Sequence, residues 1–104
     1  MNNKLLSLLG LMRRAGKLSL GFDAAAESVE AGNSCLILTT ADISPKTLKE
    51  LNYKINNKTD VIAVNCSQED MQRAIGKAVK IISINDKGFA QKARLLMETD
   101  NGEE

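Results

Sequence analysis

The side chains best suited to chemistry in this sequence form two groups of cations. Each group lies beside a glycine at which a predicted helix ends. Such cations can neutralise the phosphates of a polyanion, but they also stabilise the dipole of the helix that they end, by about 0.3–1 kcal/mol each. On charge alone, the second and more ordinary role is favoured. The first group is Arg13, Arg14 and Lys17, and the second is Arg73, Lys77 and Lys80.

The residues that enzymes use most are absent or poorly placed. The chain contains no histidine, which excludes Ser-His-Asp and Cys-His catalysis and removes the commonest metal ligand. Cys35 and Cys66 lack the spacing of metal ligands and fit small buried hydrophobic positions. The acidic side chains form no clear pair for acid–base work. We therefore expect a protein that is not an enzyme and has no metal and no cofactor.

Gly16 and Gly21 have the separation of the two glycines in a phosphate-binding P-loop. The lysine and the serine or threonine that must follow are missing, because Phe22 and Asp23 stand there. Without the lysine, the β- and γ-phosphates of a nucleotide lose their counter-charge. We therefore interpret Gly16 as the end of one helix and Gly21 as the opening of the next turn.

The composition predicts a single folded domain followed by an acidic tail. A chain of 104 residues that is 43% hydrophobic and 26% charged can bury a core and is too apolar for disorder. Four of its thirteen acidic residues lie in residues 98–104, so the net charge of +1 conceals a balance of +5 in residues 1–97. We expect one domain at 1–97 and a flexible tail at 98–104.

The sequence also predicts the compartment. No apolar run is long enough to cross a bilayer, and no cleavage site follows the leucines near the start of the chain. Two cysteines without metal-like spacing are typical of a reducing environment. We expect a cytoplasmic monomer without a membrane partner.

Apolar periodicity predicts helices that alternate with short strands. Ser44, Ser67 and Asp86 are predicted N-caps, and the run from Ser67 to Asp70 resembles a capping box. Three strands are continuous apolar runs, which indicates that both of their faces are covered. The pattern predicts an α/β fold, a three-layer α/β/α sandwich with a largely parallel sheet. The three runs lie at 35–38, 61–64 and 81–84, and a weaker alternating strand lies at 17–20.

Six short segments between Leu5 and Phe89 carry a pattern that is more specific together than singly. They are RRAGK at 13–17, Gly21 before the second helix, AGNSCLIL at 31–38, ADISP at 41–45, MQRAIGK at 71–77 and DKGFA at 86–90. In order and spacing they resemble the ribosomal protein L-seven-Ae family of kink-turn RNA-binding proteins. Within that family they are most similar to its small bacterial YlxQ-like branch.

The resemblance implies a four-stranded mixed sheet, in which residues 17–20 supply the fourth strand. It also implies RNA binding through two loops at one end of the domain. These loops are the turn at Gly21 and the connection at 77–80, and on that picture the two groups of cations become neighbours. The expected RNA-binding residues are Arg13, Arg14, Lys17, Lys77 and Lys80 toward phosphates, and Gly21, Phe22 and Asp23 toward bases.

The first loop differs from the pattern G-x-N-E-x-x-K with which kink-turn binders engage sheared G·A pairs. Asp23 stands at the Asn, Ala24 at the Glu and Glu27 at the Lys. Aspartate accepts hydrogen bonds from guanine edges but lacks the donor of the amide, and a glutamate repels phosphate. Ala24 and Glu27 motivate an alternative, a protein-interaction module of the same fold that has lost kink-turn recognition.

The small number of aromatic residues narrows the expected RNA. With only three aromatic side chains, base stacking along a single strand is disfavoured, and a structured RNA is the better ligand. We therefore expect a non-catalytic, ribosome-associated RNA-binding protein of ribosomal-protein type. Its expected partners are a structured, kink-turn-like RNA and ribosomal or translation proteins.

Overall fold

The computed structural model describes the backbone of residues 3–102 and the side chains of residues 3–98. Within these residues helices alternate with strands, as the apolar periodicity predicted. The helices are α1 (Asn3–Arg14), α2 (Phe22–Glu30), α3 (Pro45–Ile55), α4 (Gln68–Ile75) and α5 (Lys87–Gly102). The strands are β1 (Leu18–Leu20), β2 (Leu36–Thr39), β3 (Val61–Ala63) and β4 (Ile81–Ile84).

The four strands form one mixed sheet in the order β1-β4-β2-β3. Strand β4 runs antiparallel to both β1 and β2, whereas β2 and β3 are parallel. The prediction of a mixed four-stranded sheet is confirmed, but the prediction that it is largely parallel is wrong. A continuous apolar run indicates that both faces of a strand are buried. It does not indicate whether the neighbouring strand is parallel or antiparallel. At the edge, β3 leaves Ala63 exposed, so it is less buried than the strand predicted at 61–64.

Two apolar cores hold helices against the two faces of the sheet. The larger core joins α1, α4 and α5 to one face through side chains such as Leu36, Leu38 and Ile82. The smaller core joins α2 and α3 to the other face through Ile37 and Ile81. Neighbouring residues of a strand point to opposite faces, and Leu36, Ile37 and Leu38 are all fully buried. The predicted three-layer α/β/α sandwich is therefore confirmed.

The strand pairing gives the sheet two unlike ends. At one end, which we call the turn end, β1 leads into Gly21, β2 leads into Thr40, and Lys80 leads into β4. At the other end, which we call the Asn85 end, Lys17 leads into β1 and β4 leads into Asn85. A strand rises ~3.3 Å per residue, so β1 separates Lys17 from Gly21 by about 13 Å.

The Asn85 end is closed by a network of polar side chains. Asn85 Oδ1 accepts hydrogen bonds from Ser28 at 2.6 Å and from Ser83 at 2.7 Å, and its Nδ2 donates to Ser19 at 2.8 Å. The hydroxyls of Ser34 and Ser83 also lie 2.7 Å apart. Because these groups bond to one another, the network ties α2 to β1 and β4 through groups that are costly to leave unpaired when buried.

Serine and aspartate side chains begin three of the helices, as predicted. Ser44 Oγ accepts from the Thr47 N–H at 3.1 Å at the start of α3. At the start of α4, Ser67 Oγ accepts from the Asp70 N–H at 3.1 Å and the Asp70 carboxylate accepts from the Ser67 N–H at 2.9 Å. This reciprocal pair is the predicted capping box, and Asp86 caps α5 through the Phe89 N–H at 2.8 Å.

Helix α5 continues past Met97, where we expected a flexible tail to begin, as far as Gly102. The backbone of most of the expected tail is therefore helical, while its side chains from residue 99 and all of residues 103–104 lie outside the described part. The division into a domain at 1–97 and a tail at 98–104 stays a prediction. None of the described helices, α5 included, combines the length and the apolar content needed to span a membrane.

Candidate nucleic-acid interface

Gly21 forms the turn between β1 and α2. Its N–H donates to the carbonyl of Ile81 at 2.8 Å, which fixes the turn against the start of β4. Its φ of 94° lies in the region that favours glycine, because glycine has no Cβ to clash there. The Gly21 turn and the loop before β4, which the resemblance placed at one end of the domain, are therefore adjacent in the structure.

The first turn of α2 differs from the first turns of its neighbours at the turn end. Its N-cap, Gly21, provides no side-chain cap, whereas α3 and α4 begin with serine caps. Uncapped N–H groups at a helix N-terminus attract anions, because the positive end of the helix dipole lies there. Asp23 is exposed in the same turn and adds acceptor oxygens. The turn therefore offers donors for a phosphate and acceptors for the edge of a base.

Lys80 brings a cation to the turn end. Its carbonyl accepts from the Thr40 N–H at 2.9 Å, so β2 fixes its backbone. The pKa of Asp42 is held below its ordinary value, first by the hydrogen bond from the Thr40 hydroxyl and next by that from the Gln68 N–H. The positive charge of Lys80 lies close enough to lower it as well. Sequence reasoning gave Asp42 no role, although it lies in the family-like segment 41–45. The turn end thus carries a fixed negative charge beside its cation.

Arg13 joins the first group of cations to the second. Its Nη1 donates to the carbonyl of Ile75 at the end of α4, and it lies 3.8 Å from the position that a Cβ on Gly76 would take. The two groups therefore meet where α1 and α4 end, next to the exposed Lys77. A guanidinium that satisfies a helix carbonyl also has the ordinary structural role, so for Arg13 this second interpretation holds as well.

Lys17 and Arg14 lie apart from the Gly21 turn. Lys17 is at the Asn85 end, where its carbonyl accepts from the Asn85 N–H at 2.8 Å. Arg14 lines a groove of about 590 Å³ between α1 and α4 that also includes Arg73. Lys17 therefore does not lie directly beside the Gly21 turn, because β1 lies between the two positions, where a strand was predicted. Its expected contact with phosphate stays a prediction.

A family model matches residues 3–94 of this chain, and it describes the ribosomal protein L7Ae/L30e/S12e/Gadd45 family. The chain belongs to this family. The prediction made from the six short segments is thereby confirmed. The matched range includes the Gly21 turn and the loop at 77–80, and it ends before the acidic segment that begins at Glu98.

Two curated relatives are named RNA-binding protein YlxQ. The one from Enterococcus faecium is 31% identical over 99 residues, which cover 91% of this chain and 92% of the relative. The one from Bacillus subtilis (strain 168) is 32% identical over 92 residues, which cover 88% and 92%. A solved structure of a protein of unknown function from Bacillus halodurans C is 34% identical, with a TM-score of 0.81 and coverage of 91% and 97%. These similarities place the chain in the YlxQ-like branch of the L7Ae family.

Sequence reasoning missed one exposed aromatic side chain beside this interface. Tyr53 lies on α3 with 89% of its surface exposed. The signal was present, because Leu48, Leu51 and Ile55 define the apolar face of that helix and Tyr53 falls outside it. The expected buried position of Cys66 is confirmed, and Cys35 is half-buried. In the described part of the chain, no three cysteine or acidic side chains converge to hold a metal ion.

Proposed function

We propose that this protein is a non-catalytic RNA-binding protein of ribosomal-protein type, and that its turn end binds a structured RNA. The observation that carries the proposal is the hydrogen bond from Gly21 N–H to the Ile81 carbonyl. It joins an uncapped helix N-terminus to the loop that contains Lys77 and Lys80. A fold by itself implies no function, but both YlxQ relatives carry the name RNA-binding protein, which supports RNA as the ligand.

The two ends of the sheet contribute differently to this binding. The Gly21 turn approaches the bases. The uncapped N–H groups of α2 can donate to RNA backbone oxygens, and the Asp23 carboxylate can accept from donors on base edges. Lys77 and Lys80 neutralise the phosphates nearest to it. Arg13 lies beside Lys77 and binds RNA with it. Arg14 and Lys17 contact phosphates farther along the same RNA, because an RNA helix extends well beyond the length of β1.

The finer proposal is that the RNA contains a kink-turn-like bend and belongs to the ribosome. The family description names ribosomal proteins, and the Gly21 turn occupies the place of the kink-turn motif in the resemblance. On this proposal the protein acts as a cytoplasmic monomer among ribosomal or translation proteins.

The alternative, a protein-interaction module without RNA recognition, draws on the acidic surface of α2. Glu27 and Glu30 are exposed on that helix beyond Asp23, and all three line one shallow depression of about 400 Å³. A kink-turn binder of the G-x-N-E-x-x-K pattern has a lysine at the position of Glu27. The same binding experiment separates the two functions.

The experiment is a titration of a kink-turn RNA and a matched uninterrupted duplex at two salt concentrations. The variant Lys80→Ala removes a turn-end cation, and Lys58→Ala is its control, because Lys58 is exposed at the opposite end of the sheet, between α3 and β3. We expect Lys80→Ala to weaken binding and to make the log–log salt slope shallower by about one, while the control changes neither. Absence of binding by the unmodified protein at low salt would favour the protein-interaction module.

A further inference from the structure

A groove between α2 and α3 begins at the Gly21 turn. Its volume is about 470 Å³, and it is lined by Phe22, Asp23, Lys49, Glu50, Tyr53 and Lys54. Phe22 and Asp23 belong to the turn that we propose as the RNA site. The groove is therefore continuous with that site and leads from it along the surface of α3.

The two aromatic rings of the groove differ in their exposure to solvent. Phe22 is half-buried and packs against the smaller core, which fixes its ring. Tyr53 is 89% exposed, although a tyrosine ring is a large apolar surface. An exposed ring that other side chains leave uncovered is suited to stacking with a flat ligand.

The charged side chains of the groove match the other parts of a nucleotide. Lys49 and Lys54 line the groove together with Tyr53 and can neutralise the phosphates of a nucleotide that is stacked there. The carboxylates of Asp23 and Glu50 can accept hydrogen bonds from an exocyclic amino group, such as that of cytosine. A continuous apolar protein surface would instead leave these four charges without partners.

We propose that this groove holds an unpaired nucleotide of the bound RNA, adjacent to its structured part, with the base stacked on Tyr53. The inference rests on the proposed function and extends it. It also adds to the expectation that stacking along a single strand is disfavoured, since one aromatic ring is enough to stack on one base. Such stacking is the usual way in which proteins recognise unpaired bases.

The test uses the intrinsic fluorescence of Tyr53, which is the single tyrosine of a chain without tryptophan. Three probes share one kink-turn core: a blunt-ended RNA, the same RNA with three unpaired cytidines at each end, and the same RNA with abasic extensions of equal length. Affinities come from the anisotropy of labelled RNA. We expect the cytidine extensions to quench the tyrosine emission and to bind about tenfold more tightly than the abasic ones.

Three variants identify the ring as the cause. Tyr53→Ala should abolish the advantage of cytidine over abasic extensions and leave the affinity for the blunt-ended RNA unchanged. Tyr53→Phe should keep the advantage, because it retains the ring. Leu11→Ala is the matched control, since Leu11 is an exposed large apolar residue, 47% accessible, on α1. Equal melting temperatures would show that none of the variants disturbs the fold.

The outcomes separate this inference from the function on which it rests. If the blunt-ended RNA binds but the cytidine extensions give neither quenching nor a gain that depends on Tyr53, the inference is wrong and the proposed function stands. If no RNA binds at low salt, both are wrong. A groove that instead binds a protein would show the first of these results, with RNA affinity indifferent to Tyr53.

Discussion

The two ends of the sheet carry different polar residues and use them in opposite ways. At the Asn85 end, the side chain of Asn85 bonds to three serines, Ser19, Ser28 and Ser83. At the turn end, α2 begins at a glycine without a side-chain cap, and the charge of Asp23 is exposed. Polar groups that satisfy one another stabilise a fold, whereas polar groups left to solvent remain available to a ligand.

This difference identifies the candidate functional end of the sheet in a chain whose net charge is only +1. Counting cations alone gave Lys17 and Lys80 equal weight, yet they lie at opposite ends of the sheet. What distinguishes the turn end is the first turn of α2, which has no side-chain cap. The backbone there is also fixed, since Gly21 and Lys80 are both held by hydrogen bonds to neighbouring segments. A ligand can therefore bind there without a large cost in ordering the loop.

The largest expected effect is on stability and belongs to the Asn85 end. Replacing Asn85 with alanine removes the hydrogen-bond partner of the Ser19 and Ser28 hydroxyls, whereas Ser83 keeps its contact with Ser34. We expect the free energy of unfolding to fall by about 2–3 kcal/mol, since unpaired buried polar groups cost about 1–3 kcal/mol each. Urea unfolding followed by circular dichroism measures this change.

The control for this variant is Asn52→Ala, because Asn52 is exposed on α3 and should lose less than about 0.5 kcal/mol. The folded fraction of Asn85→Ala should bind RNA as the unmodified protein does. Equal loss of stability in both variants would mean that the network contributes nothing beyond an ordinary surface substitution. A specific loss of RNA affinity at full stability would remove the contrast between the two ends.

The network also shows what the sequence could and could not reveal. The caps at Ser44, Ser67 and Asp86 were predictable because each depends on residues three positions away. The Asn85 network was not, because it joins residues as far apart as Ser19 and Asn85. A serine at position 83 within the apolar run at 81–84 was its only local sign.

The candidate site, like the network, was predictable only in part. The Gly21 turn and the loop at 77–80 came from the resemblance, and their adjacency depends on β1 pairing with β4. The hydrophobic pattern does not determine strand direction, so the antiparallel pairing could not be derived. The separation of Lys17 from Gly21 could be, because it follows from the strand predicted at 17–20. The exposure of Tyr53 was accessible from helical periodicity alone, because that periodicity identifies the apolar face of α3.

A second prediction strengthens the turn end. Combining Asp23→Asn, Ala24→Glu and Glu27→Lys restores the G-x-N-E-x-x-K pattern on an otherwise unchanged helix. We expect kink-turn affinity to rise at least about tenfold, because base-edge hydrogen bonds contribute about 1–3 kcal/mol each and one repulsive charge is reversed. Calorimetry with a kink-turn RNA measures the gain, and the variant Glu30→Lys, on the same helix, controls for added charge alone. Equal gains in both would show that charge, not recognition, had changed.

A third prediction, of a smaller effect, comes from two double variants that compare the two groups of cations directly. The double variant Lys77→Ala with Lys80→Ala should make the log–log salt slope shallower by about two. The pair Arg14→Ala with Lys17→Ala should reduce the slope as well, but with a smaller loss of affinity, because these side chains lie away from the Gly21 turn. Filter-binding titrations at several salt concentrations measure both. A larger loss from the second pair would move the centre of the interface to the Asn85 end and to α1.

The smallest effect concerns the acidic segment 98–104. Ending the chain at Met97 raises the net charge from +1 to +5, which should tighten binding to any polyanion at low salt and have little effect at high salt, where the charges are screened. Because α5 continues to Gly102, truncation also shortens a helix. The matched variant therefore keeps the full length and neutralises the same charges with Glu98→Gln, Asp100→Asn, Glu103→Gln and Glu104→Gln. Both forms should bind RNA more tightly and melt within a few degrees of the unmodified protein, since the core residues remain.

If the truncated form alone melts much earlier, the last turns of α5 stabilise the domain and the boundary at residue 97 is misplaced. If the neutralised form binds no more tightly at low salt, the segment lies too far from the RNA for its charge to act.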